Sequence, residues 1–176
     1  MSVVRIGVLG AGLIGKKHIA VLLANEGNYE LVGVADPDLD AAKRAAPEAQ
    51  HFSSVQALLA RAKPDGVVIS TPNQTHLEIG LTCIKAGLPI LVEKPVADSL
   101  EDANRLIDAA EAADIPILVG HHRRHNPIMQ AAARAVHEGS LGRIVSASSL
   151  VDSMNPSVGP EPKVRGKVST SPSPFA

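Results

Sequence analysis

The sequence predicts an α/β protein built on a doubly wound parallel sheet, a reading carried by three observations. Short runs of valine, isoleucine and leucine alternate with longer segments of helical period, the pattern of parallel strands joined by right-handed helical crossovers. Those runs are nearly continuous in apolar character, as expected of strands covered by helices on both faces. The first of them leads straight into the glycine-rich stretch GAGLIG at positions 10–15 and then into a helical segment.

In chain order, the strands fall at 3–9, 31–35, 66–70, 90–92 and 117–120, with a short one at 50–52. The helices between them span about 13–25, 38–46, 54–62, 74–86 and 99–113. Ser99 stands as an N-cap with Asp102 three residues on, a relative of the Ser-x-x-Glu box, and Gly87 followed by Pro89 closes the helix before it. After Asn126 the character changes. Pro127 opens one more helix to about Glu138, rich in Ala131, Ala132, Ala133 and Ala135, and residues 141–150, LGRIVSASSL, read as a further strand. Residues 151–176 hold five prolines and five serines with no hydrophobic period, the composition of a disordered tail.

Composition bounds the function. The 176 residues, 45% hydrophobic and 20% charged, suit an ordinary globular chain with room for one full domain. With 17 Lys plus Arg against 18 Asp plus Glu, the net charge of -1 creates no basic field to gather nucleic acid or anionic lipid. The expected partner is a small molecule or another protein. Cys83, the single cysteine, lies in a helical segment and reads as a buried inert thiol suited to a reducing cytoplasm. No apolar run approaches the roughly 20 residues that span a bilayer, and MSVVRIGVLG is a strand rather than the basic start of an export signal.

The chemistry gathers at the strand ends. A strand, then Gly10-Ala11-Gly12-Leu13-Ile14-Gly15, then a helix is the context in which a G-x-G-x-x-G pattern acquires meaning. Gly10 permits the tight turn, Gly12 lets the backbone approach a diphosphate, and Gly15 allows the helix to pack closely on the strand. Phosphate oxygens would rest at the positive end of that helix, with Leu13 and Ile14 also in reach. The second strand ends on Asp36, about 20 residues past the last glycine, where a carboxylate accepts hydrogen bonds from an adenosine ribose. Asp36 before Pro37 also fits a helix N-cap, and the two roles are compatible. Together the glycines and Asp36 make a Rossmann-type dinucleotide site. A carboxylate here repels a 2'-phosphate, and the nearest basic residues, Lys43 and Arg44, lie on the next helix, so NAD is expected over NADP.

The strand at 66–70 ends in Ser70-Thr71-Pro72-Asn73-Gln74-Thr75-His76, small hydrogen-bonding residues at the edge where open α/β sheets bind ligands. Asn73 also fits a helix cap, and His76 fits an ordinary first helical turn as well as a cofactor contact. The strand at 90–92 stops on Glu93-Lys94-Pro95. At that edge these side chains face the crevice, with Pro95 fixing the turn and biasing Lys94 toward an extended backbone. Glu93 is close enough in sequence to favour the charged lysine, partial desolvation opposes it, and a solvated surface ion pair is the plain alternative.

On these residues the chain resembles the N-terminal half of the Gfo/Idh/MocA family of NAD(P)-dependent oxidoreductases, over roughly residues 3–150. The resemblance rests on the glycine loop, Asp36, Thr71-Pro72-Asn73 with His76, and Glu93-Lys94-Pro95. It implies hydride transfer between a sugar, inositol or related polyol and the nicotinamide, with Lys94 as the catalytic residue beside the reacting hydroxyl. The family's Arg-Arg and Asn-Pro segment is matched by Arg123, Arg124, Asn126 and Pro127, which adds Arg123 to the cofactor-binding candidates. His121, His122 and His125 leave the last strand pointing in alternate directions, so they read as a polar rim to the substrate crevice and no metal is expected.

The same resemblance implies a domain order: a nucleotide-binding Rossmann domain at 1–125, a helix and first strand of an incomplete C-terminal substrate domain at 126–150, and a disordered tail at 151–176. The family's second catalytic group, a histidine with an acid, finds no match, because no histidine follows His137. Two expectations therefore stand: a truncated, weak or inactive NAD-dependent polyol dehydrogenase, or a non-catalytic NAD-binding module. In either case the unpaired edges of a strand at 141–150 would favour self-association.

Overall fold

The computed structural model describes residues 3–146 and 148. Six parallel strands form one sheet: β1 (Val4–Leu9), β2 (Tyr29–Ala35), β3 (His51–Phe52), β4 (Gly66–Ile69), β5 (Ile90–Val92) and β6 (Ile117–Val119), in the order β3-β2-β1-β4-β5-β6. The helices are α1 (Leu13–Leu23), α2 (Leu39–Ala45), α3 (Val55–Ala62), α4 (His76–Lys85), α5 (Leu100–Ala112) and α6 (Pro127–His137), with 3₁₀ turns at Asn73–Thr75 and His122–His125.

Local chemistry sets the helix boundaries. Asp38 caps α2 by accepting the amides of Asp40 and Ala41, and the Ser54 and Ser99 hydroxyls cap α3 and α5 through Ala57 and Asp102. Gly87 takes a φ of 75° just past α4, the left-handed conformation that ends a helix. The cap of α2 is thus Asp38, two residues after the expected Asp36, whose carboxylate is engaged elsewhere. Asn73 caps no helix either; a 3₁₀ turn intervenes before α4, and the Asn73 side chain reaches Asp98.

The apolar strands bury a different set on each face. One cluster joins Leu9, Ile69 and Val92 to Leu58 of α3, Cys83 and Ile84 of α4 and Leu106 of α5; the other joins Val8 and Val34 to Ile19 of α1 and Ala42 of α2. This is the doubly wound arrangement. Coverage is incomplete at one edge, where Leu118 of β6 is 55% exposed.

Strand register positions the site. Leu9 pairs with Ala35 and with Ile69, Ile69 with Val92, and Val92 with Val119. The residues that follow, Asp36, Gly10, Ser70, Glu93 and Gly120, therefore stand in one row along the carboxyl edge. β1 leads through α1 to β2 on one side yet pairs with β4 on the other, so the crevice of a topological switch opens at Gly10 and Ser70.

By contacts the chain divides into two units, Met1–Ala133 and Arg134–Ala176. The strand expected at 141–150 does not form over 141–146, where the backbone is turn or irregular. An extended segment without a partner strand would leave its N–H and C=O groups unpaired. Residues 147, 149 and 150 and the expected tail at 151–176 lie outside the described residues. Among the described residues no helix is long and apolar enough to cross a membrane.

Candidate active site

The glycine turn is held from both flanking strands. Gly10 has a φ of 96°, and a Cβ there would meet the Ser70 carbonyl oxygen at 2.8 Å. The Ser70 hydroxyl lies 3.0 Å from both the Leu9 and the Gly10 carbonyl oxygens, and the Gly10 amide donates to Ala35 at 2.8 Å. Gly15 packs so tightly that a Cβ would come within 1.9 Å of the Gly10 carbonyl oxygen. Gly12 is different. A Cβ on it would meet nothing within 4 Å, so its backbone borders open space at the start of α1, where Leu13 is 77% exposed.

Asp36 is anchored by two amides: Oδ2 accepts Ala11 N–H at 2.7 Å and Oδ1 accepts Asp38 N–H at 2.8 Å. Each carboxylate oxygen keeps a second lone pair for a ligand hydroxyl. A cavity of about 650 Å³ opens beside it, lined by Gly10, Gly12, Asp36, Ser70, Thr71 and Ile79 among others. Leu13, Ile14 and Pro72 also border this cavity, whereas Gly15, Asn73, His76, Glu93, Lys94 and Arg123 do not. An open glycine backbone, a helix N-terminus, a fixed carboxylate and an apolar wall fit a dinucleotide in the order diphosphate, ribose, base.

His76 is 1% exposed. Its Nδ1 is 2.9 Å from the Pro95 carbonyl oxygen and its Nε2 2.9 Å from that of Thr71, so both ring nitrogens are occupied by backbone and neither is offered to a ligand. Asn73 donates from Nδ2 to Asp98 Oδ1 at 2.6 Å. These contacts fasten the turn after β4 to the segment after β5, which begins with a cis Lys94–Pro95 peptide.

The expected proximity of Glu93 to the Lys94 ammonium is corrected by the structure. Glu93 Oε1 lies 2.9 Å from Nε2 of His18 on α1, and Oε2 accepts the Lys94 backbone N–H at 3.2 Å. Among the described residues the Lys94 ammonium makes no ion pair, and the side chain is exposed. Arg123, on the 3₁₀ turn after β6, is exposed as well. Among the described residues no three ligating side chains gather into a metal-binding group. Sequence reasoning missed His18 and Asp98; each faces its partner only through folding, across 75 and 25 residues.

The sequence model of an oxidoreductase family with an NAD-binding Rossmann fold, Gfo/Idh/MocA, matches residues 4–121. The chain belongs to the Gfo/Idh/MocA family. Among family relatives, inositol 2-dehydrogenase 4 of Saccharopolyspora erythraea is 35% identical over 143 residues, 79% of this chain and 42% of that protein. The 4-carboxy-2-hydroxymuconate-6-semialdehyde dehydrogenase of a Sphingobium species is 34% identical over 78% of this chain and 44% of its own. The WlbA dehydrogenase of Bordetella pertussis, solved with NADH and UDP-GlcNAcA, superposes with a TM-score of 0.75 at 32% identity, over 80% of this chain and 41% of that one. The chain thus spans under half the length of these Gfo/Idh/MocA relatives.

Proposed function

We propose that the chain binds NAD along the β1–β4 crevice and belongs to a dehydrogenase of a sugar, inositol or related polyol. The observation that carries this reading is the single row of strand-end residues, in which an anchored carboxylate, an open glycine turn and a strand-end lysine share one edge. Gly10, Gly12, Leu13, Ile14 and Gly15 receive the diphosphate, Asp36 the adenosine ribose, and Thr71 and Pro72 border the middle of the dinucleotide. Preference for NAD over NADP is supported by Asp36 and by its surroundings: Lys43 and Arg44 are drawn to Asp40 and Asp38 at 3.4 and 3.5 Å. Arg123 and Glu93 complete the nicotinamide end, while His76 and Asn73 serve the site by holding its two loops together.

When bound, the nicotinamide supplies the hydride acceptor for oxidation of an alcohol carbon to a carbonyl. Lys94 orients the reacting hydroxyl or moves its proton, from the exposed end of β5. The substrate class is supported by relatives named for inositol and by the NADH and UDP-sugar complex. The buried thiol of Cys83 supports a reducing, cytoplasmic setting. The domain that binds the nucleotide is proposed to end near residue 125, before α6.

Calorimetric titration with NAD and NADP, followed by NADH formation on a panel of inositols and sugars, tests the reading. Uptake of NAD ahead of NADP and turnover abolished by Lys94→Ala are expected. No uptake of either coenzyme overturns the whole reading; uptake without turnover on any polyol overturns its catalytic half.

A further inference from the structure

α1 begins at the glycine turn and carries His18 one and a half turns later, on the side that meets the end of β5. The His18–Glu93 contact at 2.9 Å is between half-buried groups, with side chains 25% and 14% exposed. The Glu93 carboxylate is seated on Gly120, where a Cβ would come within 2.8 Å of Oε1. Its other oxygen accepts the Lys94 backbone N–H at 3.2 Å. One carboxylate thus ties three places together: the helix of the glycine turn, the end of β5 and the end of β6. The His18 bond persists whether the ring is neutral with Nε2 protonated or cationic, since Nε2 donates in both forms. Among the described residues no hydrogen bond joins the glycine turn to Lys94, whereas Glu93 is bonded both to His18 of α1 and to the Lys94 backbone.

We propose that His18 is a positioning residue for Lys94, setting through Glu93 the orientation of the β5 end against the helix that faces the diphosphate. This rests on the reading that the chain binds a nicotinamide dinucleotide with Lys94 at its nicotinamide end. If the contact were only a staple between elements, breaking it would lower stability and weaken every ligand of the crevice alike. A positioning role instead discriminates between ligands that reach Lys94 and ligands that stop short of it.

The experiment compares NADH with ADP-ribose, which carries the same adenosine and diphosphate but no nicotinamide, by titration against wild-type protein, His18→Leu and His18→Gln. His18→Leu is expected to weaken NADH by about tenfold, the range of one hydrogen bond to a charged group, while ADP-ribose changes by less than about twofold. His18→Gln, whose amide N–H reaches close to the position of Nε2, restores NADH binding. Gly120→Ala displaces the carboxylate without touching either partner and reproduces the selective loss, which guards against a His18→Leu chain that fails to fold. Equal loss of both ligands, no loss of either, or no rescue by glutamine overturns the inference while wild-type binding stands. Failure of the wild-type chain to bind NADH and ADP-ribose overturns the cofactor reading itself, and this inference with it.

Discussion

The carboxylate of Asp36 accepts the backbone N–H of Ala11 at 2.7 Å, joining the end of β2 to the middle of the glycine turn that leaves β1. A residue expected to grip a ribose therefore also shapes the loop beside it. Asp36→Ala removes both functions, and a hydrogen bond to a charged group contributes about 1.5–3 kcal/mol. NAD affinity is expected to fall roughly ten- to hundredfold, with the preference over NADP reduced, in calorimetric titration of both coenzymes. Unchanged affinity would remove Asp36 from the site.

Two glycines of the same turn are expected to fail in different ways. Gly15→Ala places a Cβ within 1.9 Å of the Gly10 carbonyl oxygen, so backbone must move, at a cost of about 1–3 kcal/mol or more. Gly12→Ala meets nothing within 4 Å. Thermal melting should therefore drop for Gly15→Ala and hold for Gly12→Ala, while titration with NAD shows a loss for Gly12→Ala. A stable Gly15→Ala protein that binds NAD normally would contradict the packing account.

His76 joins Thr71 and Pro95 through their carbonyl oxygens from a buried position. His76→Leu leaves a backbone carbonyl that accepted the ring N–H without its donor, which costs about 1–3 kcal/mol and lowers the melting temperature by roughly 3–10 °C. Because the two loops then separate, limited proteolysis near Lys94 is expected to accelerate. Melting within a degree of wild type would show that water replaces the ring without loss.

Burial pushes the Cys83 thiol up from 9.0 to about 12. A raised folded-state value means the native chain keeps the proton that the unfolded chain gives up. The contribution to stability is thus complete below pH 9 and is lost as pH rises from there toward about 12. Denaturation midpoints followed across that range should fall less for Cys83→Ala than for wild type. Native protein at pH 8 should also resist alkylation, with rapid labelling after unfolding.

Sequence alone determined the alternation of strands and helices, because each element announces itself locally: β-branched runs for the strands, Ser99 and Gly87 for helix ends, glycines at 10, 12 and 15 for the turn. Parallel pairing with right-handed crossovers then left few topologies, so the row of strand ends at Gly10, Asp36 and Glu93 was also legible. Side-chain partners were not. Glu93 turned to His18 rather than to the adjacent Lys94 ammonium, Asp38 displaced Asp36 as helix cap, and His76 went into the interior between two loops. The segment at 141–146 formed no strand despite its pattern. In each case the deciding contact depends on three-dimensional proximity: a period of two or 3.6 residues says which way a side chain points, whereas the group waiting there comes from register and from a distant stretch of chain.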